Sequence, residues 1–360
     1  MKIFVTGGTG FIGSRLVRRL VETGHDVHVL ARSESSARQA RELGAKAAHG
    51  NVTDRESLRE GLADSDVVFH IAAWYAHGNL DVERMERINV EGTRNVLGLA
   101  HELGVPKIVY TSTVAVLGDT EGAVVDESFR QGGPFVSQYD RTKWLAHYEV
   151  ALPLIEQGAP IVIVMPGAVY GPGDSSMVGE LMHAFYKGLM PVLPGPETAL
   201  TFVHVDDVVE GHLLAMEEGE VGESYILGEQ VATLREAFDL WAEITGRPRL
   251  LCGIPGPLLH PFAPLMKALG EIVTIPTLLN HEAIKILGVT YAARGDKARQ
   301  ELGWEPRPLR EGMEETLAQL GATTPRVPAK RRRLQVGLGL GLLGLGLLLW
   351  WLVGRRKERS

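Results

Sequence analysis

A single cysteine, Cys252, among 360 residues excludes an internal disulfide and any cysteine-cluster metal site. The 12 histidines are scattered and no His-Glu-x-x-His pattern occurs, so no resident metal is expected. Basic charge is scarce in the body of the chain. Residues 330–360 hold eight of the 37 basic residues and one of the 44 acidic ones, which leaves residues 1–329 at a net charge of −14. Such an acidic body argues against a nucleic-acid partner. No internal repeat is evident, and no export signal precedes Met1, which leads straight into an apolar run, so the body is expected to stay in the cytoplasm. Hydrophobic content of 45% and charged content of 22% are ordinary for a globular protein.

Charge is absent from one stretch, residues 334–353, which read Leu-Gln-Val-Gly-Leu-Gly-Leu-Gly-Leu-Leu-Gly-Leu-Gly-Leu-Leu-Leu-Trp-Trp-Leu-Val. As a helix it would span about 30 Å, the depth of a bilayer's hydrocarbon layer. Trp350 and Trp351 stand near one end, and basic clusters flank both. The expectation is a single C-terminal membrane anchor, reached through a linker over residues 321–333.

At the other end of the chain, Ile3–Thr6 read as a buried strand and 11–23 as a helix with Leu16, Val17 and Leu20 inward. Gly7, Gly8, Gly10 and Gly13 lie between and just inside them. A strand that turns directly into a helix aims free N–H groups and the positive end of the helix dipole at a ligand above the turn, which suits a pyrophosphate. Further strand-like and helix-like segments alternate through residue 165, with strands near 25–31, 45–49, 67–71, 107–112 and 161–165. That spacing predicts a parallel sheet with helices on both faces and a ligand site at the carboxyl ends of its strands. Gly7–Gly13, Arg32, Ala72–Ala73 and Ser112–Thr113 fall at those ends. Segments 201–205, 206–216, 224–227 and 234–244 look like units returning to this domain. The expected division is therefore 1–169 plus 201–245 for the sheet domain, and 170–200 plus 246–320 for a smaller lobe.

Tyr139 and Lys143, four apart, share one helix face. An ammonium beside a phenol stabilises the phenolate and lowers its pKa, which lets the phenol trade a proton near neutral pH. With Thr6-Gly-Gly-Thr-Gly-Phe-Ile-Gly13, Val68-Phe-His-Ile-Ala-Ala73, Asn89-Val-Glu-Gly-Thr93, Tyr110-Thr-Ser-Thr113, Pro166-Gly-Ala-Val-Tyr-Gly171 and Phe202-Val-His-Val-Asp-Asp207, the chain resembles the extended short-chain dehydrogenase/reductase family over residues 1 to about 315. The resemblance implies an α/β fold with a Rossmann-type doubly wound parallel sheet and a smaller C-terminal substrate lobe. It also implies a triad in which Tyr139 is the acid/base, Lys143 holds the nicotinamide ribose and Thr113 binds the substrate oxygen, Ser112 being the other alignment. The implied cofactor-binding positions are Gly7, Gly10, Phe11, Ile12, Gly13, Arg32, Asn51, Val52, Ala72, Ala73, Tyr139, Lys143, Pro166 and Val169.

NAD enzymes usually place an acid at the end of the second strand; Arg32 stands there and suits the 2′-phosphate of NADP, leaving NAD as second choice. Asn51 replaces an aspartate that often contacts adenine in the family. Met165 replaces the arginine common in the nucleotide-sugar epimerases, and Val116-Leu117-Gly118 replaces their Val-Tyr-Gly. Both changes tilt the chain toward the dihydroflavonol-reductase-like and 3β-hydroxysteroid-dehydrogenase-like branch. The expected reaction interconverts a carbonyl and a secondary alcohol on a small apolar substrate. The alternatives are a nucleotide-sugar epimerase or dehydratase with bound NAD, and a non-catalytic dinucleotide-binding membrane protein. A homodimer is a further expectation.

Overall fold

In the computed structural model of the chain, residues 1–75, 81–131, 133–270 and 281–323 are described. β1 (Lys2–Thr6), β2 (Asp26–Ala31), β3 (Lys46–His49), β4 (Val67–His70), β5 (Lys107–Thr111) and β6 (Ile161–Pro166) follow one another with helical crossovers. β7 (Ala168–Tyr170), β8 (Leu193–Pro194) and β9 (Ala199–His204) intervene before β10 (Ser224–Leu227); β11 (Gln230–Thr233), β12 (Gly253–Ile254) and β13 (Thr290–Tyr291) come last. The large sheet has seven parallel strands in the order β10-β6-β5-β4-β1-β2-β3. Strand order therefore reverses at β1, and a crevice opens outside the carboxyl ends of β1 and β4.

β1 shows why its run is continuously apolar. Ile3 and Val5 pack with Leu16, Val17 and Leu20 of the helix Phe11–Glu22 on one face. Phe4 packs with Leu58, Leu62 and Val96 on the other. A strand covered on both faces has no polar side to alternate with. The helix Val205–Glu217 lies beside Phe11–Glu22, while the helical runs 92–102 and 138–156 cover the opposite face.

A smaller layer is centred on β9, which pairs with β11, β13 and β7. Phe185, Phe238, Trp241 and Met313, from the helices Met177–Lys187, Leu234–Thr245 and Leu309–Thr323, fill its core. The strand expected over 201–205 to rejoin the large sheet lies here instead, as does the helix expected over 234–244. Of these expected units, Val205–Glu217 and β10 return to the large sheet. An apolar run reports that a strand is buried, not which sheet buries it.

Among the described residues no helix is long and apolar enough to cross a membrane. This corrects the expected C-terminal transmembrane helix, and with it the expected location at a membrane through residues 334–353. The last described helix, Leu309–Thr323, is about 22 Å long by its rise per residue and carries Arg310, Glu311, Glu314 and Glu315. Residues 334–353 themselves lie outside the described residues.

The turn after β1 is closed by contact. Gly7 has φ 74°, and a Cβ on Gly13 would stand 2.1 Å from the Gly7 carbonyl oxygen. Gly98, inside the helix Gly92–Glu102, has open space around it. Gly13→Ala is expected to destabilise the protein by about 1–3 kcal/mol in urea unfolding. Gly98→Ala should be neutral or stabilise by about 0.5–1 kcal/mol.

Candidate active site

The helix Phe11–Glu22 starts at Gly10, whose N–H donates to the Gly7 carbonyl at 3.0 Å. No side chain caps it and its first turn holds no acid. The first N–H groups of a helix lack intrahelical acceptors, so this end remains open to an anion. Beneath it, a buried polar chain fixes the floor. Thr93 donates to the Asn89 carbonyl at 2.7 Å, so it accepts the Nε2 proton of His70 at 3.0 Å. Nδ1 of His70 then accepts from Thr6 Oγ1 at 2.7 Å, and Thr6 accepts from the Ala72 N–H at 3.3 Å. Burial takes the His70 pKa down to about 3, so the ring stays neutral and the chain keeps one polarity. Asn89, in the π-helical turn Arg87–Glu91, grips the Trp74 backbone with both amide atoms, at 2.6 and 3.1 Å. The strand-end segment 72–75 is thus held at the mouth of the sheet.

A cleft of about 630 Å³ runs along these strand ends. It gathers Gly7, Gly10, Phe11, Ile12, Gly13, Arg32, Asn51, Val52, Ala72, Ala73, Thr113, Tyr139 and Val169. Two positions named from sequence stand behind its wall. Pro166 is buried at the end of β6, and Lys143 is 3% exposed. Thr113 and Ser112 are now distinguished by placement: Ser112 is buried with its Oγ 2.8 Å from His147 Nδ1, whereas Thr113 lines the cleft. The Thr113 oxygen accepts the Ala115 N–H at 3.2 Å, which leaves its hydroxyl proton to donate.

Tyr139 stands in the first turn of the helix Gln138–Trp144, capped by Ser137. Its ring meets Tyr75 edge-on at 5.0 Å. Burial, with Tyr75 and Asp140 nearby, holds the Tyr139 phenol above its ordinary pKa of 10. The depression expected from Lys143 is not what this site shows. Lys143 Nζ donates to the Thr111 carbonyl at 2.9 Å and approaches the Tyr110 hydroxyl at 3.4 Å. It has no carboxylate partner among the described residues, and burial takes its pKa down to about 7. Burial thus shifts the balance from ammonium toward amine.

Arg32 is exposed at the end of β2, without an ion pair among the described residues, next to the helix cap formed by Ser33 and Ser36. Asn51 uses its amide oxygen on the Thr53 N–H at 3.2 Å, which leaves the NH2 group for a ligand. Several lining residues were not named from sequence: Trp74, Tyr75, Asp140, Met177, Leu200, Ile286 and Tyr291. Only Asp140 had a local signal, a serine three residues before it at a helix start.

Apart from the cleft, His204, Asp206 and Glu315 form a grouping that could be read as a metal site. Nδ1 of His204 accepts the Asp206 N–H, so Nε2 carries the proton and offers no lone pair. Arg15 and Arg307 pair with Asp206 and Glu315 at 3.2 and 2.8 Å. The hydrogen bonds do not suit a cation.

Comparison with known proteins places this geometry. The profile of the NAD dependent epimerase/dehydratase family matches residues 3–228. The chain is 34% identical to a 4-hydroxy-2-methyl-3-oxo-4-farnesyl-3,4-dihydroquinoline-1-oxide ketoreductase of Stigmatella aurantiaca, over 89% of this chain and 97% of that protein. It is 31% identical to sterol demethylase protein B of Methylococcus capsulatus, over 88% and 98%. The crystal structure of UDP-glucose 4-epimerase from Thermotoga maritima, bound to UDP-glucose, superposes with a TM-score of 0.71 at 25% identity, over 90% and 99%. The chain belongs to the NAD dependent epimerase/dehydratase family, as an NAD(P)-dependent oxidoreductase of the extended short-chain type.

Proposed function

We propose that the chain interconverts a carbonyl and a secondary alcohol on a small apolar substrate, with NADP as its preferred dinucleotide. The observation that carries this reading is one continuous cleft joining the glycine turn to Thr113 and Tyr139. A bound nicotinamide supplies or takes the hydride. Tyr139 gives its proton to the carbonyl oxygen during reduction and takes it back from the alcohol in reverse. Thr113 donates its free hydroxyl proton to the same oxygen, which keeps the carbonyl polarised.

Dinucleotide binding follows from the open helix end and from Arg32. The helix N-terminus would hold the pyrophosphate, and the unengaged Asn51 NH2 would serve the adenine. Arg32 offers a planar fork to a 2′-phosphate. The nearby Glu34 is occupied by Arg41 at 2.9 Å and does not oppose it. Trp74, Tyr75, Met177, Leu200, Ile286 and Tyr291 give the far end of the cleft an apolar, aromatic lining suited to a ring compound. The names of the two relatives, a farnesyl-quinoline ketoreductase and a sterol demethylase protein, favour the same class.

Lys143 costs stability where it stands. The unfolded lysine takes up a proton near 10.5, whereas the folded one does so only near 7. Between those values the unfolded chain binds more protons, so stability rises with pH across that window. That cost is consistent with a role in holding the nicotinamide ribose.

Three outcomes are expected. Tyr139→Phe should lower ketone-dependent NADPH oxidation by about 10²–10⁴-fold while NADPH binding, measured calorimetrically, stays unchanged; full turnover in that variant would exclude the mechanism. Arg32→Ala should weaken NADPH binding by about tenfold or more and leave NADH binding unaltered. An equal loss for both dinucleotides contradicts the assignment. Lys143→Met should raise the melting temperature of the cofactor-free protein at pH 7, and the gain should shrink toward pH 10; a gain independent of pH would point to packing instead.

A further inference from the structure

Asp140 takes no part in the reaction as described above, yet it is built into the site. It is 4% exposed, lines the cleft, and its Oδ2 accepts a hydrogen bond from the Tyr291 hydroxyl at 2.7 Å. Tyr291 stands on β13 of the smaller layer, 151 residues along the chain. This bond therefore ties that layer to the first turn of the helix bearing Tyr139 and Lys143. The Asp140 N–H donates to Ser137 Oγ at 3.0 Å, a capping arrangement that accounts for an acid at this helix position. Capping alone does not require the acid to be buried among phenols. Tyr75, Tyr139 and Tyr291 all lie within the field of this one carboxylate, and all three are held above the ordinary phenol pKa.

The other charged groups around it do not cancel that field. Glu282, of the helix His281–Ile286, is negative as well, and its carboxylate is engaged by the Gln138 N–H at 2.6 Å and by Lys285 at 3.0 Å. Glu180 and Asp119 add further negative charge on Tyr75 and Tyr291. Lys143, one turn along the helix, directs its amine to the Thr111 carbonyl.

We propose that Asp140, held by Tyr291, is a positioning residue that sets how firmly Tyr139 keeps its proton. The inference rests on the acid/base reading of Tyr139. A carboxylate beside a phenol disfavours the phenolate. Burial takes the Asp140 pKa up to about 6, so the group is charged at neutral pH and neutral in mild acid. When charged, it adds to the burial that already holds the Tyr139 phenol above its ordinary pKa. Alcohol oxidation, which needs the phenolate, is pushed to higher pH.

The test is a titration followed by NMR of the full chain with tyrosine labelled at Cζ, the Tyr139 signal being assigned by its loss in Tyr139→Phe. Asp140→Asn keeps an oxygen at the helix cap and removes the charge. In that variant Tyr139 should titrate about one pH unit lower than in the parent; an unchanged titration overturns the proposal. Should Asp140→Asn fail to fold, Tyr291→Phe gives a second reading. Without its donor, Asp140 keeps its proton to higher pH, so the inflection of the Tyr139 signal near pH 6 should move upward. An inflection that is absent or unmoved overturns the proposal. These titrations need no turnover, so their failure is separate from failure of the acid/base reading, which the Tyr139→Phe assay decides.

Discussion

Where β1 passes into the first helix, Gly13 packs directly on the Gly7 carbonyl, with no room between them for a side chain. That close approach sets the direction of the helix and carries its uncapped end over the carboxyl edge of the sheet. β1 lies between β4 and β2, at the point where strand order reverses. The open helix end, the segment after β4 and the end of β2 therefore converge without any loop having to reach across the sheet. A bulkier turn would displace the helix and separate the anion-binding end from the rest of the cleft.

A second layer of order comes from polar groups sealed below that turn. Thr6, His70, Thr93 and Asn89 form a fully directed chain that ends on the Trp74 backbone. Each hydroxyl and ring nitrogen in it has a partner, which lets such a chain rigidify a core rather than weaken it. Its neutrality matters, since a charged His70 would reverse one donor. Lys143 meets Tyr110 as His70 does, and gains only a carbonyl and a phenol for its charge. The floor is thus tuned for rigidity beneath the cofactor turn and strained toward the amine beneath Tyr139.

Much of this was legible in the sequence, for a physical reason. Strands buried on both faces, glycine-rich turns and a tyrosine one helical turn before a lysine are local patterns; they indicated the large sheet, and thirteen of the residues named with the family resemblance line one cleft. What stayed hidden depends on contacts between distant segments. Tyr291 meets Asp140 across 151 positions, and nothing near either residue announces it. β9 reads as an apolar strand in any sheet. The effect of Lys143 on Tyr139 was inferred from spacing alone, whereas its amine turns to Thr111 and burial dominates the phenol. Chain pattern likewise suggested a membrane-spanning helix, and the described structure contains no helix of that kind.

The central claim is that one cleft performs net hydride transfer to an apolar carbonyl, rather than a reversible oxidation that returns the hydride to a sugar. It is tested most directly with NADPH deuterated at the transferable C4 position and a panel of apolar ring ketones. The account predicts that the product alcohol carries deuterium on its new carbinol carbon, with one NADP formed per alcohol. Epimerisation of a sugar nucleotide on tightly retained NAD, with no net NADP formed and no ketone reduced, would contradict it.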